Sequence, residues 1–216
     1  MSISLSRQAR LLLRISFLVT FAESMLVPIY AAFTEKVGGS ILDAGIAFAV
    51  FSMATGSVIT LLGTRPIFQR RIRFFLALGL WASVFCDVGY VFVQDKWQLF
   101  GVQVVAGFAT GLIEPAWDSV FSDGIDEPSA RHWSIWAGGT HLFAGLAALA
   151  GGMIVAHFSF SVLFLTMAAV DALAASIAST AKVGSVDSGT EVLQQPQPMA
   201  RANTAAVSVT DEVGAG

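Results

Sequence analysis

The sequence contains little of what soluble enzymes and disulfide-bonded domains use. Of its 216 residues only 12% are charged, three are histidine and one is cysteine. A single thiol excludes an internal disulfide, and we interpret Cys86 as a small buried residue. Zinc-type spacing of Cys and His, a glycine-rich phosphate loop and a dinucleotide fingerprint are all missing. We therefore expect no metal, no cofactor and no catalytic residue, and predict that the protein is not an enzyme.

Apolar side chains are in excess. They make up 55% of the chain, and the mean hydropathy is +0.72, too high for a globule with a polar surface. A bilayer core about 30 Å thick is crossed by a helix of roughly 20 apolar residues. The runs of this length are 11–33, 41–62, 74–94, 99–121, 134–156 and 159–180. Alternating barrel-type strands are missing, so the predicted fold class is all-α, a polytopic bundle of six transmembrane helices.

The cationic residues predict the topology. Most arginines lie before the first span, between the second and third, and after the fourth, whereas only Lys36 and Lys96 lie on the other side. The positive-inside rule then places both termini in the cytoplasm of a bacterial-type cell membrane. The basic loop "GTRPIFQRRIR" is explained by this topology and by anionic lipid, so we expect no nucleic-acid partner.

The chain divides into three predicted parts. Residues 1–10 form a cytoplasmic N-terminus, and residues 11–180 form the transmembrane domain. Residues 181–216 are rich in Gly, Ser, Thr and Gln and poor in residues that could form a core, which is typical of a disordered cytoplasmic tail. A linker or a docking peptide is the alternative for this last part.

Several ionisable side chains fall inside the spans, where each is costly unless it faces protein or water. They are Glu23, Asp87, Glu114, Asp118, His141 and Asp171. Helical spacing places Gln103, Glu114 and Asp118 on one side of the fourth helix. Together with the faces of the first and fifth helices that carry Glu23 and His141, this side predicts a common aqueous cavity for substrate or protons.

Each of these features also has a structural interpretation. Small residues on the same stripes are typical of closely packed membrane helices, and we favour packing for the glycines. Function is favoured for Glu23 and Glu114, while both interpretations stay open for His141. A neutral acid that donates one hydrogen bond would explain the second-rank acids Asp87 and Asp171. Two further residues predict helix kinks beside the acids, Pro28 and Pro115.

The hydrophobic part resembles the amino-terminal six-helix half of a major facilitator superfamily transporter. "LVPIYAAFTEKVGGSILDAGIAFAVFSMATGSVITLLG" is similar to that family's first helix, loop and second helix. In the basic loop Gly63 and Arg71 match the family signature, whereas its Asp position carries Ile67. In the fourth helix the matching residues are Gly107, Gly111, Pro115 and Asp123, with Gln103 in place of the usual Arg. The fifth-helix pattern is kept only in Gly151 and Gly152.

The resemblance implies a function and a partner. The family's first and fourth helices, with parts of the second and fifth, line the pathway, so Glu23, Glu114 and His141 would face it. The third and sixth helices lie outside, so Asp87 and Asp171 would be peripheral. Because the family has twelve helices in two halves, six spans imply a half-size secondary transporter of a small molecule, acting as a homodimer and coupled to protons through intramembrane carboxylates. One half of a heteromeric transporter and a non-transporting membrane scaffold are the alternatives.

Overall fold

A computed structural model describes residues 7–123 and 130–180. Within these ranges the chain is helical and contains no strand. The helices are α1 (Arg7–Leu26), α2 (Tyr30–Lys36), α3 (Ile41–Leu62), α4 (Pro66–Arg70), α5 (Ile72–Val91), α6 (Lys96–Asp123), α7 (Ala130–His157) and α8 (Phe160–Thr180). The predicted tail, 181–216, lies outside the described residues.

Six helical segments are long and apolar enough to cross a membrane, which confirms the predicted all-α bundle. The fourth and fifth are longer than their apolar runs, since α6 and α7 each have 28 residues. Their backbone hydrogen bonds continue past the apolar part into the polar ends of the span. Hydropathy locates the part of a helix inside lipid, and it does not locate the end of the helix.

The first span is interrupted at its proline. α1 ends at Leu26, a single 3-10 turn covers Val27–Ile29 with Pro28 within it, and α2 resumes at Tyr30. Pro28 has no N–H to donate to the preceding turn, so the regular helix is broken here. By contrast, α6 continues through Pro115. α3 and α5 both pack against α6, and a bend at Pro115 stays a prediction.

The six spans form a curved row. In spatial order α3 packs on α6, α6 on α5, α5 on α8, α8 on α1 and α1 on α7. α3 and α7 are the ends of this row and share no packed interface in the described part of the chain. Their apolar windows are only 11% buried, against 39% in each of the other spans. The row is thus open between its two ends, and its concave side lies between α1 and α6.

The row has an internal symmetry. Numbered by span, the row reads 2-4-3-6-1-5. Exchanging span 1 with 4, 2 with 5 and 3 with 6 turns it into 5-1-6-3-4-2, which is the same order read backwards. This is the pattern expected of two three-helix repeats with inverted topology. It pairs α1 with α6, and α5 with α8, across one axis. Those two pairs carry the buried and cavity-facing acids.

Glycines allow two of the close helix contacts. A Cβ on Gly107 would lie 2.5 Å from the carbonyl oxygen of Phe51, and one on Gly111 would lie 2.7 Å from Cβ of Val58. Both glycines of α6 therefore pack directly on α3. The packing interpretation of this stripe agrees with the structure, and Gly107 lies outside the cavity that its neighbour Gln103 lines.

The basic loop contains a short helix, α4, that the sequence did not predict. Phe68 of α4 is fully buried and stacks on Phe75 with 4.8 Å between the ring centroids. Gln69 Nε2 donates to the carbonyl oxygen of Gly63 at 3.0 Å. Arg71 is exposed. A buried aromatic ring and an amide hydrogen bond thus hold this loop in place beside Ile67, which departs from the family signature.

We expect Phe68→Ala to lower the free energy of unfolding by about 3 kcal/mol, because it removes a fully buried ring and leaves a cavity. Thermal unfolding of the purified protein in mild detergent measures this. Ile67→Ala is the control, since Ile67 is 50% exposed and should cost less than about 1 kcal/mol. Equal losses in the two variants would contradict the anchoring role of Phe68.

Candidate functional site: two cavities that share Glu23 and Glu114

A cavity of about 390 Å³ opens on the concave side of the row. Its walls come from α1, α2, α3, α5, α6 and α8, and it runs from the mid-membrane acids toward Tyr30 and Gln103. The volume is within the range of small-molecule sites, which is about 300–1,000 Å³. Most of the lining is apolar or aromatic. Its carboxyl groups are those of Glu23, Asp87, Glu114 and Asp171.

A second cavity, of about 350 Å³, lies toward the opposite end of the same helices. Ser16 and Thr20 of α1 line it, together with Trp117 and Asp118 of α6. We call the first space, which contains Tyr30 and Gln103, the upper cavity and this one the lower cavity. Glu23 and Glu114 line both. The two acids therefore stand between two cavities that extend toward opposite membrane faces.

The predicted pathway residues are brought together in part. Glu23, Glu114 and Asp118 are exposed within the cleft between α1 and α6, and the charges of Glu23 and Glu114 interact. Gln103 is buried at the wall of the upper cavity. His141 is exposed on α7 and lines neither cavity. It lies on the last helix of the row, so its face of α7 is available to a neighbouring molecule or to lipid.

The positions of Asp87 and Asp171 correct the resemblance. They were expected to be peripheral, yet both line the upper cavity, with side chains only 6% and 2% exposed. The reason is the helix order: α5 and α8 lie at the centre of the curved row, and their contacting faces point toward α1 and α6. Sequence spacing gives the face of a helix, but it does not say which neighbour that face meets.

Gln103 is held by the chain's two tyrosines. Its Nε2 donates to the hydroxyl of Tyr30, and the hydroxyl of Tyr90 donates to its Oε1 at 3.2 Å. This network joins the first, third and fourth spans at the wall of the upper cavity. Gln103 stands where the family pattern has an arginine. Its neutral side-chain amide is hydrogen-bonded by the two tyrosine hydroxyls.

We expect Tyr30→Phe to destabilise the protein by about 1–3 kcal/mol, because it leaves a buried amide donor of Gln103 without an acceptor. Thermal unfolding in detergent measures the loss. Replacing the whole network, by Tyr30→Phe, Tyr90→Phe and Gln103→Leu together, should recover much of the stability, since no polar group is then stranded. A triple variant less stable than the single one would contradict this account.

Cations are missing from both cavity walls in the part of the chain that the structure describes: no Lys, Arg or His lines them. The thiol of Cys86 lies at the wall and donates weakly to the carbonyl oxygen of Val102, with 3.6 Å between sulfur and oxygen. This contact agrees with its interpretation as a small buried residue. The site is therefore acidic without a compensating positive side chain, so it attracts protons or a positively charged group.

A polar cluster outside the bundle core was not predicted. Ser40 and Asp43 form a capping box at the start of α3, and Asp43 also pairs with Lys96 of α6 at 3.2 Å. Because Lys96 precedes the fourth span, this contact ties α3 and α6 at the end of the upper cavity. Ser-x-x-Asp before an apolar run is the signal that would have revealed the cap.

Comparison with known proteins agrees with this geometry. The family model of the Major Facilitator Superfamily matches residues 12–204. The chain belongs to this superfamily. It is 24% identical over 149 residues to the uncharacterized MFS-type transporter YitZ of Bacillus subtilis (strain 168), and the alignment covers 67% of this chain and 88% of that protein. The comparisons support a transporter rather than an enzyme. They confirm the family resemblance and, with the six apolar helices, a multi-pass membrane protein.

Proposed function

We propose that this superfamily member moves a small molecule across a bacterial-type cytoplasmic membrane by alternating access, with Glu23 and Glu114 binding a proton or a cationic group of the substrate. The single observation that carries the proposal is that these two acids line both the upper and the lower cavity. A ligand held between them is one conformational step from either membrane face. The 3-10 turn at Pro28 supplies a break in the first span, between α1 and α2 and just above Glu23.

The open side of the cleft requires a cover. Glu23, Glu114 and Asp118 are exposed there, and a carboxylate that faces lipid costs several kcal/mol. The ends of the row, α3 and α7, are also the least buried spans. We propose that a second six-helix unit closes the cleft, most simply a second copy related by a two-fold axis along the membrane normal.

Symmetry makes this dimer specific. A two-fold axis through the mouth of a curved row brings α3 of one copy against α7 of the other. Gly45 lies near the start of α3 and Gly152 near the end of α7, which in antiparallel spans is the same side of the membrane, and a Cβ on either would meet nothing within 4 Å. Such open glycines permit the close helix contacts that are common in membranes.

Disulfide crosslinking tests the dimer. The double variant Gly45→Cys/Gly152→Cys should form a covalent dimer in native membranes. The wild-type chain, whose only cysteine is buried Cys86, should not. Crosslinking of Gly45→Cys alone would instead indicate a different symmetry. A crosslinked product of another mass would indicate a heteromeric partner, and absence of any product would contradict the proposed interface.

Orientation is part of the proposal. The distribution of arginines predicts cytoplasmic termini, which places the lower cavity on the cytoplasmic side and the upper cavity on the outside. Ser16 and Thr20 would then be reached from the cytoplasm, and Tyr30 from outside.

Gradient-driven uptake tests the function. The purified protein in proteoliposomes is supplied with labelled small cations, amino acids and sugars under an inward proton gradient. We expect uptake of at least one class above that of protein-free vesicles, and collapse of the gradient should abolish it if the carboxylates couple transport to protons. Failure with every class would favour the scaffold alternative.

A further inference from the structure

The contact between α5 and α8 contains a pair of buried acids that the proposed pathway does not use. The carboxyl groups of Asp87 and Asp171 lie within hydrogen-bonding reach of each other. Within the described residues, Asp87 Oδ2 and Asp171 Oδ1 are buried and receive no hydrogen bond from a donor. Both side chains are more than nine-tenths buried, and both line the upper cavity.

Two ionised carboxylates in this position would be unstable. They would repel each other in a low-dielectric environment, and each would leave a buried oxygen without a donor. One proton between the two groups resolves both problems, because the protonated carboxyl donates to the carboxylate. A carboxyl pair that shares one proton is the simplest state that satisfies the observed contact.

Among the described residues that line the upper cavity, none supplies a positive charge. The other titratable groups that line the upper cavity with the pair are Glu23 from α1, Tyr30 from α2, Cys86 and Tyr90 from α5, and Glu114 from α6. Each is acidic or neutral. The charge of Glu23 interacts with both aspartates. When Glu23 is ionised, it opposes loss of the proton from the pair, because that loss would add a second negative charge nearby. A proton is therefore the cation that this site is built to hold.

The location distinguishes the pair from an inert helix contact. Asp87 and Asp171 come from α5 and α8, the third and sixth spans, which correspond to each other in the two inverted repeats and pack together at the centre of the row. A proton held there lies at the wall of the upper cavity and joins the two repeats. Its loss would separate the two negative charges and loosen the contact between α5 and α8.

We propose that Asp87 and Asp171 form a proton-binding site in which the two carboxyl groups share one exchangeable proton, separate from the substrate acids Glu23 and Glu114. The inference deepens the proposed function and rests on it for its role in transport. On release, the O–H bond at the pair breaks, the proton passes to solvent in the upper cavity, and the pair is left with two negative charges. On uptake, one O–H bond forms and the pair returns to a single negative charge.

Infrared difference spectroscopy of the full chain in nanodiscs tests this without any substrate. We expect one carbonyl band of a protonated carboxyl that disappears when the buffer is made alkaline and returns on acidification. Asp87→Asn and Asp171→Asn should each abolish this same band, because an asparagine amide can donate to the remaining carboxylate in place of the proton. Asp95→Asn is the control outside the cavity, and it should leave the band intact.

The other outcomes are equally informative. A band that survives in both single variants, or one that persists at every pH at which the protein stays folded, would overturn the proposal. If Glu23→Gln abolishes the band and the two aspartate variants keep it, the band belongs to Glu23 in the cleft and the proposal is wrong. If an Asn variant does not fold, Asp87→Glu keeps a carboxyl group and should shift the band without abolishing it. Because no substrate is present, failure here leaves the uptake test of the proposed function unaffected.

Discussion

Glu23→Gln is expected to reduce substrate uptake into proteoliposomes by ten- to about one hundredfold. Glutamine keeps the size of the side chain and removes its charge and its titration, and a hydrogen bond to a charged group is worth about 1.5–3 kcal/mol. Glu23 lines both cavities, so the lost interaction weakens binding of a ligand that enters from either the upper or the lower cavity. Glu114→Gln should show a loss of the same order, because Glu114 has the same position on the opposite wall.

Glu35→Gln is the matched control for this experiment. Glu35 lies on the same first span but is exposed at its end, in α2, and it lines neither cavity. Its uptake rate should stay within twofold of wild type, as expected of an exposed substitution away from the site. Equal losses in Glu23→Gln and Glu35→Gln would indicate a general effect of charge. Full uptake in both cleft variants would contradict the role of the two acids.

Among alanine substitutions at the glycines that the structure describes, Gly151→Ala is expected to lower the stability most. Its Cβ would lie 2.1 Å from the carbonyl oxygen of Met25 and 3.0 Å from its Cα. These atoms belong to the backbone of α1 and cannot move as a side chain can, so α1 and α7 must separate. Overpacking costs about 1–3 kcal/mol and sometimes more, and we expect at least the upper part of that range.

A glycine outside the proposed dimer interface provides the control. A Cβ on Gly101 of α6 would meet nothing within 4 Å, and alanine is the better helix former by about 1 kcal/mol. Gly101→Ala should therefore unfold in detergent at the wild-type temperature or slightly above it, while Gly151→Ala unfolds well below. If the two variants unfold at the same temperature, the close contact between α1 and α7 is wrong.

Much of the fold can be predicted from the sequence because lipid limits the choices. Backbone groups inside a bilayer must be satisfied within the segment, so a long apolar run is a helix. The second span, 41–62, agrees with α3 at both ends. The short helix α4 was missed because its signal is a single buried aromatic, Phe68, within a run of arginines.

The site was predicted only in part, for a physical reason. Helical periodicity states which residues share a face, and it correctly grouped Gln103 with Glu114 on the wall of the upper cavity. Which helix lies opposite that face depends on tertiary packing. Helical spacing therefore grouped His141 with acids that it does not meet. The family resemblance placed Asp87 and Asp171 outside, whereas the structure has them at the upper cavity.

Reciprocal access to the two cavities tests the central claim most directly. In a Thr20→Cys/Thr110→Cys variant, Thr20 reports on the lower cavity and Thr110 on the upper one. Cells are first labelled from outside with an impermeant maleimide, and inverted vesicles are then labelled from the cytoplasmic side. Alternating access predicts that modification at position 110 holds the upper cavity open and slows labelling at position 20. Labelling rates at position 20 that are independent of the first modification would contradict the account.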